Sequence, residues 1–361
     1  MEAIKMYDAI ELAEAKNALA GSIAWRSPSN IALVKYWGKY GRQLPSNPSV
    51  SFTLKNAHTN MRMTYKEGTG NVVLFFEEKR NEAFEGRMAK FMKSIADVYP
   101  FLQSLDFQIH SDNSFPHSAG IASSASAMSA LCLCLCSIEQ QIFGSLQDAD
   151  EFLQKASYLS RLASGSACRS VYPKLGQWGI HDKIKRSTNQ YAVDVSGEVD
   201  PVFHTFKNSI LIASAKEKSV SSSAGHQLME NNSYAPVRFK QANDNLEKLM
   251  VAMKKGDLTT FIEIVEEEAL TLHALMMTST PSYVLMKPNS LELIERVRSF
   301  RSKTGLPVCF TLDAGPNLHV LYPANIANEV QAFIQEECKP FCENGLIIED
   351  EVGEGAFLLN S

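Results

Sequence analysis

The chain has no excess of positive charge: 35 Lys and Arg stand against 40 Asp and Glu over 361 residues, a formal net charge of −5. That balance argues against a broad nucleic-acid surface, so any cationic site must be local. A paired cysteine framework is missing too. The seven cysteines, Cys132, Cys134, Cys136, Cys168, Cys309, Cys338 and Cys342, are odd in number. No stretch at the N-terminus resembles a signal peptide, and a reducing cytoplasm fits best. Zinc spacing is also lacking. Cys132, Cys134 and Cys136 lie two apart and diverge on a helix, while Cys338 and Cys342 have no second pair to complete a set, so no metal ligands are assigned. No apolar run reaches bilayer length, since the stretch over 131–138 stops at Glu139, and no membrane span is expected. What remains is ordinary for a large folded chain, 45% hydrophobic and 21% charged, and long enough for two domains.

Residues 116–125, PHSAGIASSA, run straight into the apolar MSALCLCLC. A glycine in a small-residue loop that feeds a helix lets backbone N–H groups converge on an anion, and Ser123 and Ser124 add hydroxyls at the first turn. No lysine follows the glycine. This is therefore not a GxxxxGK[ST] loop, and the positive charge a triphosphate needs must come from elsewhere or from Mg²⁺. Close helix packing is the plainer use of such residues. Two further small-residue turns add weight. In 164–170 (SGSACRS), Ser164, Gly165 and Ser166 precede Arg169, whose guanidinium can bind phosphate or carboxylate through two parallel bonds. In 220–226 (VSSSAGH) the serines open a helical segment, as caps or as phosphate contacts. Cys168 has no neighbouring base and is not read as a nucleophile.

Along the chain, residues 1–20 carry the apolar spacing of an amphipathic helix. Residues 23–25, 31–36 and 50–54 read as strands around a Gly/Pro loop with Lys35, Lys39 and Arg42. Lys35 closes the apolar run ALVK, so it must emerge at the strand end or be paired. A hairpin is expected over 59–76, turning at 68–70, then a helix over 82–99, a strand over 107–110 and a helix over 148–162. Beyond residue 205 the chain is richer in helix, with segments over 235–255, 258–275 and 290–303. A domain boundary falls between residues 204 and 205. Asp313 follows the strand at 308–312 in a Gly/Pro bend, where a carboxylate is either held rigidly at a cleft or caps its own turn. His273 is expected in the core or at an interface.

Taken in order, NIALVKYWGK (30–39), PHSAGIASSA (116–125), SGSACRS (164–170), VSSSAGH (220–226) and DAGPN (313–317) resemble the GHMP kinase superfamily and, within it, the mevalonate diphosphate decarboxylases. KYWGK and the SGSACRS segment are specific to the decarboxylases. The resemblance implies an α+β fold, with a ribosomal-protein-S5-like domain over 1–204 and a ferredoxin-like GHMP domain over 205–361. ATP, accompanied by Mg²⁺, and the substrate would share the cleft between them, in a homodimer. The implied reaction phosphorylates the 3-hydroxyl of diphosphomevalonate and releases phosphate and CO₂ to give isopentenyl diphosphate.

By the same resemblance, Asp313 is the base or orienting carboxylate, Lys35 lies beside it, and Arg169 takes the substrate carboxylate. Ser164, Ser166 and Ser222 meet polar groups of the substrate, Tyr36, Trp37 and Lys39 grip its diphosphate and apolar body, and Asn30 belongs to the same cluster. On the nucleotide side the resemblance assigns Asn113, Pro116, Ala119, Gly120, Ala122, Ser123 and Ser124. The chain has Pro48 where the family has serine, and Ser223 where many members carry Arg or Thr. A decarboxylase of the monophosphate, a mevalonate 3-kinase and a catalytically inactive binding protein of this fold are the alternatives.

Overall fold

The computed structural model describes residues 6–115, 123–216 and 220–360. In the first half, β1 (Gly21–Val34) leads through a small hairpin, β2 (Lys39–Tyr40) and β3 (Leu44–Pro45), into the long β4 (Ser49–Glu67). Next come β5 (Val72–Phe76), β6 (Lys79–Arg80), helix α1 (Glu82–Ser94), β7 (Leu105–Asn113), α2 (Ser123–Phe143), α3 (Ala149–Ala163), β8 (Leu175–Trp178) and β9 (Ala192–Asp194). The second half runs β10 (Lys207–Leu211), α4 (Ser222–Leu228), α5 (Ala235–Lys255), α6 (Leu258–Met277), α7 (Pro288–Thr304), β11 (Cys309–Thr311), β12 (Leu318–Tyr322), α8 (Ala327–Phe333), β13 (Ile347–Glu351) and β14 (Phe357–Leu358). Two principal sheets result. The first has eight strands, with β14-β1-β4-β7-β5-β6 in sequence, β8 paired to β4 and β9 paired to β8. The second is β11-β12-β10-β13, antiparallel throughout. The last strand returns to the first sheet, where Trp25 pairs with Leu358.

β4 shows why the halves meet where they do. From Ala57 onward it alternates buried and more exposed side chains, the pattern of a strand with one face covered, whereas Ser49–Leu54 is buried on both faces. There Phe52 meets Phe206 and Phe261, and one apolar cluster joins Ile31, Val50 and Phe52 of the first sheet to Ile210, Leu249 and Phe261 of the second half. The halves therefore share a core.

Several local expectations are corrected. The two strands at 23–25 and 31–36 are one strand, β1, whose register slips between Pro28 and Asn30; a proline in a strand is accommodated at such an irregularity. Residues 59–76 do not form a hairpin. β7 lies between β4 and β5 and pairs with β5 in parallel, because Leu105–Asn113 supplies the buried alternation that the central position demands. The described part of 1–20 holds a single short turn, Leu12–Glu14, instead of a helix. Its backbone N–H groups at Ile10, Lys16 and Asn17 are used by Val98 and Ile142 carbonyls, and Tyr7, Ile10, Leu12 and Ala15 dock individually on the first core.

Helix α2 is long and apolar enough by composition to cross a bilayer, contrary to the expectation from its charged flank, but 83% of its most apolar window is buried inside the protein. Hydroxyl pairs tie it down, Ser27 to Ser129 at 2.5 Å and Thr59 to Ser126 at 2.7 Å. All seven cysteines are free and buried.

Candidate active site

A cavity of about 280 Å³ opens between the halves, walled by the segment after β1, the turn after α3, the start of α4 and the bend after β11. At its buried end the chain leaves β1 at Lys35. The Lys35 backbone N–H donates to Glu268 Oε2 at 2.8 Å, and its ammonium donates to Ala32 O at 2.6 Å and to Asp313 Oδ1 at 2.9 Å. Glu268 is locked in turn by Arg238 through two parallel bonds of 2.7 and 2.5 Å and by Asn245 at 2.8 Å. Removal from water pushes the Lys35 ammonium below its usual range, and the adjacent Asp313 carboxylate, then Glu268, work against that shift. Asp313 sits in the strand-to-turn bend, where its own carbonyl accepts from Gly315 N–H at 2.7 Å and from His273 Nε2 at 3.1 Å. His273, a core residue as expected, thus also holds the backbone that carries the carboxylate.

Arg169 comes from the turn Gly165–Val171 and is buried. Its Nη1 donates to Ser49 Oγ at 2.6 Å and its Nη2 to Asn30 Oδ1 at 3.3 Å, while Nε has no partner. Among the described residues no carboxylate lies within ion-pair distance of it. A buried guanidinium with an unused donor and no counter-ion is costly alone and strongly favours an anionic ligand. Burial accordingly pulls its pKa below the ordinary arginine value. Asn30 stands behind Arg169, its amide donating to Ser170 Oγ at 2.7 Å, and is not part of the cavity wall.

The middle of the cavity is aromatic. Tyr36 packs on Trp178 at 4.7 Å, and a Cβ on Gly165 would lie 2.8 Å from the Tyr36 hydroxyl, so only glycine lets the turn approach this closely. Towards the open end lie Lys39, bonded to Gln43 at 2.9 Å, Arg87 of α1, the serines Ser221, Ser222 and Ser223, and His226. Ser221 caps α4 by accepting from Ala224 N–H at 3.2 Å. Ser124, Ser164 and Ser166 complete the wall.

Thus the cavity collects Asp313, Lys35, Arg169, Tyr36, Trp37, Lys39, Ser164, Ser166, Ser222 and Ser124 of the expected residues. It does not include Asn113, whose Oδ1 accepts from Thr59 at 2.7 Å, or Ser123, the first residue of α2. Pro116, Ala119, Gly120 and Ala122 lie outside the described residues. Among the described residues no three His, Cys, Asp or Glu side chains converge as metal ligands, and Asp313 is the one carboxylate on the cavity wall. That donor set fits Mg²⁺ carried in on nucleotide phosphates, because Mg²⁺ keeps its waters and takes few protein ligands.

Comparison with known proteins decides the family. Residues 27–189 match the diphosphomevalonate decarboxylase-like N-terminal domain and residues 209–352 the mevalonate 5-diphosphate decarboxylase C-terminal domain. The diphosphomevalonate decarboxylase of Gibberella zeae is 30% identical over 335 residues, 86% of this chain and 83% of that protein. The chain belongs to the diphosphomevalonate decarboxylase family. Among solved members, MDDEF in complex with MVAPP, AMPPCP and magnesium superposes with a TM-score of 0.80 at 26% identity, covering 95% of this chain and 100% of that one. The mevalonate diphosphate decarboxylase from Staphylococcus aureus gives 0.79 at 26% identity, covering 94% and 98%. This decarboxylase-family chain thus carries the GHMP-type two-domain fold.

Four features escape sequence reasoning: the Glu268–Arg238 clamp on Lys35, the His273 bond to Asp313, and the places of Arg87 and His226 on the wall. Only His226 carried a signal, its position at the end of the VSSSAGH block.

Proposed function

We propose that this chain catalyses the ATP-dependent decarboxylation of 5-diphosphomevalonate to isopentenyl diphosphate in the mevalonate pathway. The observation that carries this reading is one cavity holding a Lys35–Asp313 pair beside Arg169, a buried guanidinium with no counter-ion among the described residues. Asp313 orients the tertiary 3-hydroxyl and takes its proton as the γ-phosphoryl of ATP arrives. Lys35, fixed by Glu268, steadies the charge of Asp313. Arg169 binds the substrate carboxylate. When the C3–O bond breaks, its electron pair leaves with phosphate, and the C1–C2 bonding pair moves in to form the C2=C3 double bond as CO₂ departs. Mg²⁺ supplies charge neutralisation on the nucleotide phosphates, with Ser124 and Asp313 the wall residues suited to face it. Ser164 and Ser166 contact polar groups of the substrate, Tyr36 and Trp37 exclude water from its body, and Lys39 and Ser222 meet its diphosphate.

A homodimer is part of this reading, supported by the exposed side chains of Tyr234 and Val237 beside an apolar groove on α5 and α6; light scattering at micromolar concentration should give twice the mass of one chain. A cytoplasmic setting suits seven buried cysteines, odd in number.

The test supplies Mg·ATP with mevalonate, its 5-phosphate or its 5-diphosphate and follows ADP, phosphate and CO₂ separately. Equal release of all three from the diphosphate is expected. ADP without CO₂ makes the chain a 3-kinase, preference for the 5-phosphate changes the substrate, and no ADP from any of the three overturns the assignment.

A further inference from the structure

His226 lies in the cavity wall between two rings, its centroid 4.3 Å from that of Tyr36 and 4.5 Å from that of Trp37. It is more than nine-tenths buried. Its Nδ1 accepts the Gly38 N–H at 3.0 Å, so in the neutral ring the proton sits on Nε2. Rotation of the ring would break that bond. Among the described residues Nε2 has no hydrogen-bond partner, and the ring forms part of the cavity wall. Both surroundings point one way. Burial, and after it the charge of Lys39, push the imidazole pKa down to about 3, so the ring is a neutral donor at any working pH. Lys39 is the one charged group in this balance; Lys35, Arg169 and Asp313 belong to the other end of the cavity.

We infer that His226 Nε2–H is a fixed hydrogen-bond donor to a phosphate oxygen of the substrate diphosphate, acting beside Lys39 and the serines at the open end of the cavity. Anchoring through Gly38 gives the donor its precision, since Gly38 directly precedes Lys39, the first residue of β2. The side chain therefore contributes to holding the substrate and takes no part in moving a proton.

This inference rests on the decarboxylase reading, and its tests separate the two. In His226→Met the KM for the diphosphate should rise about tenfold, the size expected for a hydrogen bond to a charged group, with kcat and the KM for ATP within about twofold. His226→Gln places an amide N–H near the Nε2 position and should recover most of the loss. His226→Asn keeps an acceptor near Nδ1 without the reach and should not. An unchanged KM in His226→Met, or rescue by Asn and not by Gln, overturns the inference, the latter by reducing His226 to a prop for Gly38. A second measurement needs no variant and no turnover: in ¹⁵N-histidine-labelled wild-type protein, inorganic pyrophosphate should shift the His226 Nε2–H correlation. A shift without CO₂ release from the diphosphate would leave the donor standing and remove the decarboxylase reading; no shift at saturating pyrophosphate removes the donor.

Discussion

The two ends of the cavity are built on different physical terms. At the buried end, Lys35 and Arg169 are each about 2% exposed, and their anchors Glu268, Ser49 and Asn30 are buried, while Asp313 keeps one side open to the cavity. At the open end, Lys39 is half-buried, and Ser221, Ser222, Ser223 and Arg87 are exposed. Groups held dry and rigid before substrate arrives stabilise developing charge without reorganising, whereas solvated groups exchange water for ligand at little net gain. The buried end should therefore govern kcat and the open end KM.

The largest effect expected is on Asp313. Asp313→Asn should lower kcat by about 10⁴-fold while a fluorescent ATP analogue still binds; turnover near wild type would break the contrast at its root. Arg169→Lys keeps the charge but loses the planar fork pinned by Ser49 and Asn30, and a fall in kcat/KM of about 10²-fold is expected. Glu268→Gln leaves the buried Arg238 without its charge partner and should cost about 3–5 kcal/mol in a denaturant titration, with a loss of kcat as Lys35 loosens. Lys39→Ala, at the open end, should raise the KM of the diphosphate by about tenfold and leave kcat alone; a collapse of kcat would show that both ends work alike.

The smallest effect concerns acid stability. With a folded pKa of about 3 against about 6.5 when unfolded, His226 refuses a proton that the unfolded chain accepts. Its share of stability is complete above pH 6.5 and is lost as pH falls towards 3, by about 1 kcal/mol at pH 5.5. His226→Gln should flatten the fall in unfolding free energy, read from denaturant titrations between pH 6.5 and 5.5, by that amount.

Local signals carried far along this chain. Gly256, with φ of 68°, ends α5 where the helical pattern breaks, and Asp257 caps α6 through Thr260. Leu318–Tyr322 forms the strand its alternation suggests. The order of five short blocks was enough to name most of the cavity wall, because the described ones meet the cleft where an element ends or begins: the end of β1, the turn after α3, the start of α4 and the bend after β11. Where local signal failed, a distant partner had taken over. The 59–76 segment has every mark of a hairpin, yet β7 pairs more favourably with both arms, and the apolar rhythm of 1–20 serves docking on a core that shorter-range rules do not include.

The sequence by itself determined most of the helices beyond residue 122 and the turn chemistry at their ends, since these depend on neighbours within a few residues. Tertiary structure alone decided which charges stand without counter-ions and which donors stay free. Lys35 is gripped by a residue 233 positions away, Arg169 by one 120 away and His226 by one 188 away, and desolvation and hydrogen-bond satisfaction answer to what surrounds a group in space.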